Sequence, residues 1–166
     1  MASDSKVIDY LKKGLRMELT AIDQYFLHSR LAYDWGFDKL GAKEEEESQE
    51  EREHADRFLQ RVLYLGGTPE MQPYDIPVAS NVRELLEADL QGEKDSLAFY
   101  REAAGYCESV QDYASRQVFT DLIADEEEHE DWLETQLALM DKLGEVPYLR
   151  SIMGGEQVAQ ETAGES

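Results

Sequence analysis

The sequence predicts an all-α protein, a four-helix bundle with one long connection in its middle. Apolar residues recur at alternating spacings of four and three along four long segments, the stripe expected of a bundle core. Those segments contain no proline, whereas Pro69, Pro73 and Pro77 lie together between Gly66 and Asn81. The prolines therefore divide the chain into two helical halves.

The first half is predicted to form two helices. Helical pattern runs from about residue 5 to residue 33, breaks near Trp35-Gly36, and resumes from about residue 40 to residue 65, just before Gly66-Gly67. Because the break at Trp35-Gly36 is short, these two helices are expected to pack antiparallel.

The second half is expected to repeat this arrangement. Asn81 is a predicted N-cap with Glu84 three positions later, and the third helix is expected to reach about residue 107. The fourth helix is predicted from about residue 110 to residue 143, ending at Gly144. A short last helix is expected after Pro147, around residues 148–153.

The connection between the halves, residues 67–80, predicts the topology. Extended, it spans roughly 45 Å, whereas a 24-residue helix is about 36 Å long, so the connection can cross the whole bundle. A long crossover makes the second and third helices parallel. We expect one domain over residues 1–153 and a polar, loosely ordered tail over residues 154–166.

Composition limits the partners. The chain has 166 residues, with 16 Lys and Arg against 37 Asp and Glu, and a net charge of −21. This charge disfavours nucleic acid and anionic lipid surfaces, so cations are the expected partners. The sequence contains no apolar run of about 18 residues, its start lacks the pattern of a secretory signal, and its single Cys107 allows no internal disulfide. We therefore expect a cytoplasmic protein with no membrane association.

Ionisable residues interrupt the apolar stripes at related positions in the two halves. Each half carries a Glu on its first helix and, 33 positions later, a Glu-x-x-His motif on its second, and the two sets are 75 positions apart. The i, i+3 spacing puts a carboxylate and an imidazole on one helix face. The sequence thus predicts that four carboxylates and two imidazoles point into the core: Glu18, Glu51, His54, Glu93, Glu126 and His129.

The predicted ligand set suits two metal ions. Burying an uncompensated carboxylate costs on the order of several kcal/mol, so four in one core require neutralisation, which two divalent cations supply. Mixed carboxylate and imidazole donors favour iron or manganese over calcium, and the absence of thiolates argues against structural zinc. With iron, two adjacent ions can each give one electron to dioxygen.

Other polar residues have two readings. Tyr25 is a core residue or, by its position near Glu18, a candidate catalytic residue that contacts the ligands or quenches radicals, and its repeat Tyr100 has the same two readings. His28 is interpreted as structural or partly exposed. The run from Glu44 to Glu47, with Glu50, is interpreted as a solvated face, or as the inner wall of a hollow shell.

Four stretches resemble the bacterioferritins: AIDQYFLHSR after Glu18, EREHADRF around Glu51, YREAAGY after Glu93, and DEEEHEDWLE around Glu126. The resemblance covers about residues 7–143 and implies a ferritin-like bundle. It implies that Glu18 and His54 bind one iron, that Glu93 and His129 bind the other, and that Glu51 and Glu126 bridge them. It further implies a hollow cage of about 24 subunits that stores ferric mineral.

One position departs from this family. Bacterioferritins bind haem b through a methionine after the first bridging glutamate, and here that position is Arg52. A protonated guanidinium cannot replace a thioether as an axial ligand. We expect no haem of this kind in a homo-oligomer, although a partner subunit in a mixed shell would be able to supply the methionine.

The first functional hypothesis is an iron-storage ferroxidase that uses dioxygen or hydrogen peroxide. The second is a di-iron oxidase or peroxidase outside any cage, as in rubrerythrin-like proteins, although no Cys-x-x-Cys pairs are present. A third is a non-catalytic scaffold or subunit of a mixed shell. A DNA-protecting mini-ferritin is least favoured, because the net charge is strongly negative.

Overall fold

The computed structural model describes residues 3–155, which form five helices and no strand. This confirms the predicted all-α bundle with a short C-terminal helix. The expected loosely ordered tail falls mostly on residues 156–166, which lie outside the described residues. The helices are α1 (Ser5–Asp34), α2 (Asp38–Tyr64), α3 (Val82–Ser109), α4 (Tyr113–Leu143) and α5 (Glu145–Ser151).

Side-chain caps begin three of the long helices. Asp4 accepts hydrogen bonds from the first backbone N–H groups of α1, and Asn81 accepts one from Glu84 N at 2.9 Å, as predicted. Helix α4 begins at Tyr113, three residues later than its pattern suggested. Gln111 adopts a positive φ of 62°, and Asp112 then caps the helix by accepting from Ser115 N. These two residues end one helix and start the next.

Helix α5 begins earlier than expected. It spans Glu145–Ser151 and includes Pro147, whereas the sequence suggested a turn only after that proline. Proline is compatible with the first turn of a helix because the N–H groups there have no partner within the helix.

The crossover between α2 and α3 lies along α1. Arg16 Nε donates to the carbonyl of Gln72 at 2.8 Å, Tyr74 N donates to Thr20 Oγ1 at 2.7 Å, and the Arg16 guanidinium stacks over the Tyr74 ring. Helix α1 packs along α2, and α3 packs along α4. The long connection is thus fixed against the outside of the bundle.

Two apolar clusters fill the ends of the bundle. One, the aromatic end, contains Phe58, Tyr100 and Phe119. The other, the α5 end, contains Leu86, Leu133 and Tyr148 among others. A layer of buried polar side chains lies between them. Among the described residues, no helix has the length and apolarity needed to cross a membrane.

Candidate metal centre

The six predicted ligands all lie in the polar layer between the two apolar clusters. Their side chains come from all four long helices, and none is more than 5% exposed: Glu18, Glu51, His54, Glu93, Glu126 and His129. The alternation of four and three places each on the inner face of its helix. The sequence reasoning thus located residues that the fold brings together.

These side chains form two overlapping groups. Ligand atoms of Glu18, Glu51, His54 and Glu126 lie within 4.8 Å of one another, and so do those of Glu51, Glu93, Glu126 and His129. Glu51 and Glu126 belong to both groups, whereas the other four belong to one each. The geometry therefore offers two adjacent cation positions with two shared carboxylates.

The Nδ1 atom of each imidazole lies close to glutamate carboxylates of the polar layer. His54 Nδ1 lies 3.0 Å from Glu126 Oε1 and 3.3 Å from Glu51 Oε2. His129 Nδ1 lies 2.8 Å from Glu93 Oε1. On its other side, His54 Nε2 lies 2.9 Å from Asp125 Oδ2. A carboxylate on the second nitrogen fixes the ring orientation and favours Nδ1 as the metal-binding atom.

Two tyrosines donate hydrogen bonds to the outer carboxylates, Glu18 and Glu93, which each belong to only one of the two ligand groups. Tyr25 OH donates to Glu93 and lies 3.3 Å from His129 Nδ1, while Tyr100 OH donates to Glu18. Burial, followed by the charge of Glu93, raises the pKa of Tyr25 well above its usual range, so the hydroxyl stays protonated. Both tyrosines are buried core residues that also contact predicted ligands, so both readings are compatible with the structure, and a role in quenching radicals stays a prediction.

The electrostatics of the metal-free layer favour cation entry. Burial, then the Glu18 carboxylate, raises the pKa of Glu51 well above its usual range. Burial opposes the ionisation of Glu18, but hydrogen bonds from Glu51 and His54 lower its pKa. Among the described residues, the buried atoms Glu93 Oε2 and His129 Nε2 have no hydrogen-bond partner, and Glu18 Oε2 has only His54 Nδ1 at 3.7 Å. Unpaired buried oxygens and crowded carboxylates fit a cation in this layer.

The layer is approached from two sides. A cleft of about 170 Å³ is lined by Gln24 and Tyr74 and reaches Glu51, Glu93 and Glu126. On the opposite side, a depression of about 250 Å³ over His129 is lined mainly by charged side chains, among them Glu46, Glu50 and Glu128. The second opening has the charge that attracts cations.

Sequence reasoning missed several members of the layer. Glu44 and Glu47 are buried, so the interpretation of their run as a solvated face is wrong for these two. Glu47 lies 3.4 Å from His129 Nδ1 and pairs with Lys43 Nζ at 2.8 Å. The sequence feature that could have identified Glu44 and Glu47 is the alternation of spacings of four and three. It continues along the inner face of α2 through Leu40, Glu44, Glu47, Glu51, His54 and Phe58.

His28 is fully buried and lies 2.7 Å from Asp89 Oδ1. The expectation of a partly exposed histidine is therefore wrong. Asp89 adjoins Leu90, which fits the apolar stripe of α3 equally well but is only half-buried, so the sequence did not indicate Asp89.

Fold and site together define a four-helix bundle whose core holds carboxylates and imidazoles in groups that could bind metal. The chain belongs to the ferritin family, since the ferritin-like domain matches residues 8–143. It is 50% identical to a bacterioferritin of Rhodobacter capsulatus over 145 residues, which are 87% of this chain and 90% of that protein.

Two further relatives support the assignment. A bacterioferritin of Brucella melitensis is 47% identical over 149 residues, covering 89% of this chain and 92% of the relative. A bacterial ferritin of Pseudomonas aeruginosa is 45% identical over 152 residues, covering 91% and 99%. Membership of this family supports iron storage, and the buried cluster of Glu and His has the composition of a di-iron site.

Proposed function

We propose that this protein stores iron and that each chain is a ferroxidase, oxidising Fe(II) to Fe(III) between its four long helices. The observation that carries the proposal is the pair of overlapping ligand groups that share Glu51 and Glu126. Two ions held side by side can deliver two electrons to one oxidant.

In the proposed reaction, two Fe(II) ions lose one electron each, and dioxygen takes up two electrons and two protons to give hydrogen peroxide. With hydrogen peroxide as the oxidant, the same two electrons and two protons give two molecules of water. No protein nucleophile is required, because the side chains position the ions and tune their potential.

The roles of individual residues follow from their positions. Glu18 with His54 holds one iron, Glu93 with His129 holds the other, and the two shared glutamates bridge them. Tyr25 donates to Glu93 and orients that carboxylate; the same hydroxyl is close enough to the site to give up an electron. Tyr100 likewise donates to Glu18 and orients that carboxylate.

Storage requires an assembly, and we propose a cage of about 24 copies as the likeness to bacterioferritins implies. The acidic depression over His129 is the proposed exit toward the interior of such a cage. There the run of glutamates gathers ferric ions for the mineral. The net charge of −21 fits a cationic cargo and disfavours DNA.

Haem b is not part of the proposal for a homo-oligomer. Arg52 is exposed on α2, and its guanidinium has no lone pair for an axial bond to haem iron. A strong Soret band with a bis-methionine signature in the protein purified without a partner subunit would contradict this expectation.

The proposal is tested by loading the purified protein with Fe(II) without oxygen and following absorbance in a stopped-flow instrument after oxygen is added. Light scattering on the same sample gives the particle mass. A fast phase that saturates at about two Fe(II) per chain on a cage-sized particle supports the proposal. The same phase on a dimer favours a di-iron oxidase outside a cage. A protein without any fast phase is a scaffold or binds another metal.

A further inference from the structure

A second cluster of buried ionisable side chains lies on the α5 side of the candidate metal centre. His28 of α1, Glu44 of α2 and Asp89 of α3 are each 0% exposed. One ligand atom from each lies within 4.8 Å of the others. Three different helices therefore converge on one small polar space.

The hydrogen bonds within this cluster leave several buried atoms unpaired. Asp89 Oδ1 faces His28 Nδ1 at 2.7 Å and accepts from Gln24 Nε2 at 3.1 Å. Among the described residues, His28 Nε2, Asp89 Oδ2 and both carboxylate oxygens of Glu44 lack a hydrogen-bond partner, apart from the hydrogen bond that a protonated Glu44 makes with Asp89. Buried polar atoms are almost always paired, so four together in one cluster point to an additional ligand.

The charges of the cluster also favour a bound cation. Two carboxylates and one imidazole face each other, and the positive charge of the nearby Lys43 has only a smaller effect on Glu44 than the negative charge of Asp89. Burial, then the neighbouring Asp89 carboxylate, raises the pKa of Glu44 well above its usual range. A proton on Glu44 thus relieves the repulsion in the metal-free chain, and a divalent cation would relieve it more completely.

The internal repeat shows that packing does not require these charges. Shifting by 75 positions, which relates the two sets of metal ligands, takes His28 to Ala103 and Glu44 to Phe119, and takes Asp89 back to Gly14. Ala103 and Phe119 belong to the apolar cluster of the aromatic end. The same place in the other half of the bundle is filled with apolar side chains alone.

The cluster is separate from the candidate di-iron centre. None of its three residues belongs to either ligand group of that centre. On α2, Glu44 precedes Glu51 by seven residues, which corresponds to roughly 10 Å along the helix axis. An ion here would not be a bridging partner of the two irons.

We propose that His28, Glu44 and Asp89 form a second, mononuclear site for a divalent transition-metal cation. Two carboxylates balance the charge of one such ion, and water completes its coordination. An imidazole among the donors favours Fe(II), Mn(II), Co(II) or Zn(II) over calcium and magnesium, which prefer oxygen ligands alone. The site does not depend on the ferroxidase proposal, because it binds its ion whether or not iron is oxidised at the centre.

The direct test is a crystal of the full-length protein soaked in Co(II), with anomalous diffraction recorded on both sides of the cobalt absorption edge. An anomalous peak between His28, Glu44 and Asp89 is expected, in addition to peaks at the candidate di-iron centre. Peaks at the centre with none in this cluster overturn the proposal and leave the ferroxidase untouched.

A variant gives the matching measurement in solution. Glu44→Gln removes a charge but keeps the shape, so we expect bound Co(II) after gel filtration to fall from about three to about two per chain. The control Glu53→Gln, at an exposed position of the same helix, is expected to keep all of them. Unchanged cobalt content in Glu44→Gln overturns the proposal. If Glu44→Gln loses its helical circular dichroism, Asp89→Asn replaces it.

Discussion

The two ends of the bundle differ although the two halves of the chain repeat. At the aromatic end, the Phe58 ring packs against Phe119 with centroids 5.3 Å apart and against Tyr100 at 5.5 Å. At the α5 end, the repeat-related space holds His28, Glu44 and Asp89. The halves therefore match at the candidate metal centre and diverge beyond it.

This difference distinguishes the apolar packing that the fold requires from the ionisable residues that the fold does not require. An apolar core at one end shows that such a core suffices to pack four helices at this distance from the centre. Buried ionisable groups at the other end cost stability unless a charge partner or a ligand compensates them. Changing repeat-related positions in pairs tests this contrast.

The largest expected effect is on stability. Phe119 is fully buried in the aromatic cluster, and Phe119→Ala is expected to lower the free energy of unfolding by about 3–5 kcal/mol. Its repeat partner is expected to show no comparable loss in the metal-free protein, since burial and Asp89 raise the pKa of Glu44 and Glu44→Gln keeps the shape and the donor of the protonated side chain. The measurement is denaturant unfolding of both metal-free variants. A Glu44→Gln variant as destabilised as Phe119→Ala contradicts the contrast.

The next effect concerns iron oxidation and tests the symmetry of the centre. Glu18→Ala and Glu93→Ala each remove the outer carboxylate of one cation position, and both are expected to slow the fast phase by at least about 100-fold. The exposed Asp23 of α1 supplies the control Asp23→Ala, which should retain the wild-type rate. A large loss in one ligand variant and none in the other would mean that the two positions do not act together.

A smaller effect is expected from the tyrosines. Tyr25→Phe and Tyr100→Phe each remove a hydrogen bond to an outer carboxylate, and the fast phase should slow by about tenfold with two ions still bound. If Tyr25 also supplies an electron, only Tyr25→Phe abolishes the tyrosyl radical signal in electron paramagnetic resonance after oxygen is added. Loss of bound metal in either variant would instead assign that tyrosine a structural role.

The smallest effect is a dependence of stability on pH. Burial lowers the pKa of His54, but the hydrogen bond and charge of Glu18 outweigh it and raise the value to about 9. Stabilisation by protonated His54 is thus fully present below pH about 6.5 and is lost as pH rises toward about 9. The thermal midpoint of the metal-free protein should fall across this window, whereas the Co(II)-loaded protein, whose His54 is neutral, should show no such fall.

The sequence predicted the bundle and the six centre residues for a physical reason. Glu18, Glu51 and their repeats lie on otherwise apolar stripes, where a charge is conspicuous and costly. The identical offset in both halves then linked residues that are distant along the chain. Their roles as metal ligands remain predictions for experiment.

The second cluster was not predictable in the same way. Glu44 and Glu47 lie within a run of four glutamates, where the two that face inward cannot be distinguished by composition. Asp89 adjoins Leu90, and a one-residue difference in helix register decided which of them is buried. His28 has no counterpart in the repeat, so only the three-dimensional arrangement revealed its partners.

The most direct test of the central claim is a crystal structure of the protein loaded anaerobically with Fe(II), with anomalous data at the iron edge. The account predicts about two iron peaks in each bundle, with Glu51 and Glu126 each bound to both ions. A single iron between these residues, or iron confined to the protein surface, would contradict a di-iron centre in this chain.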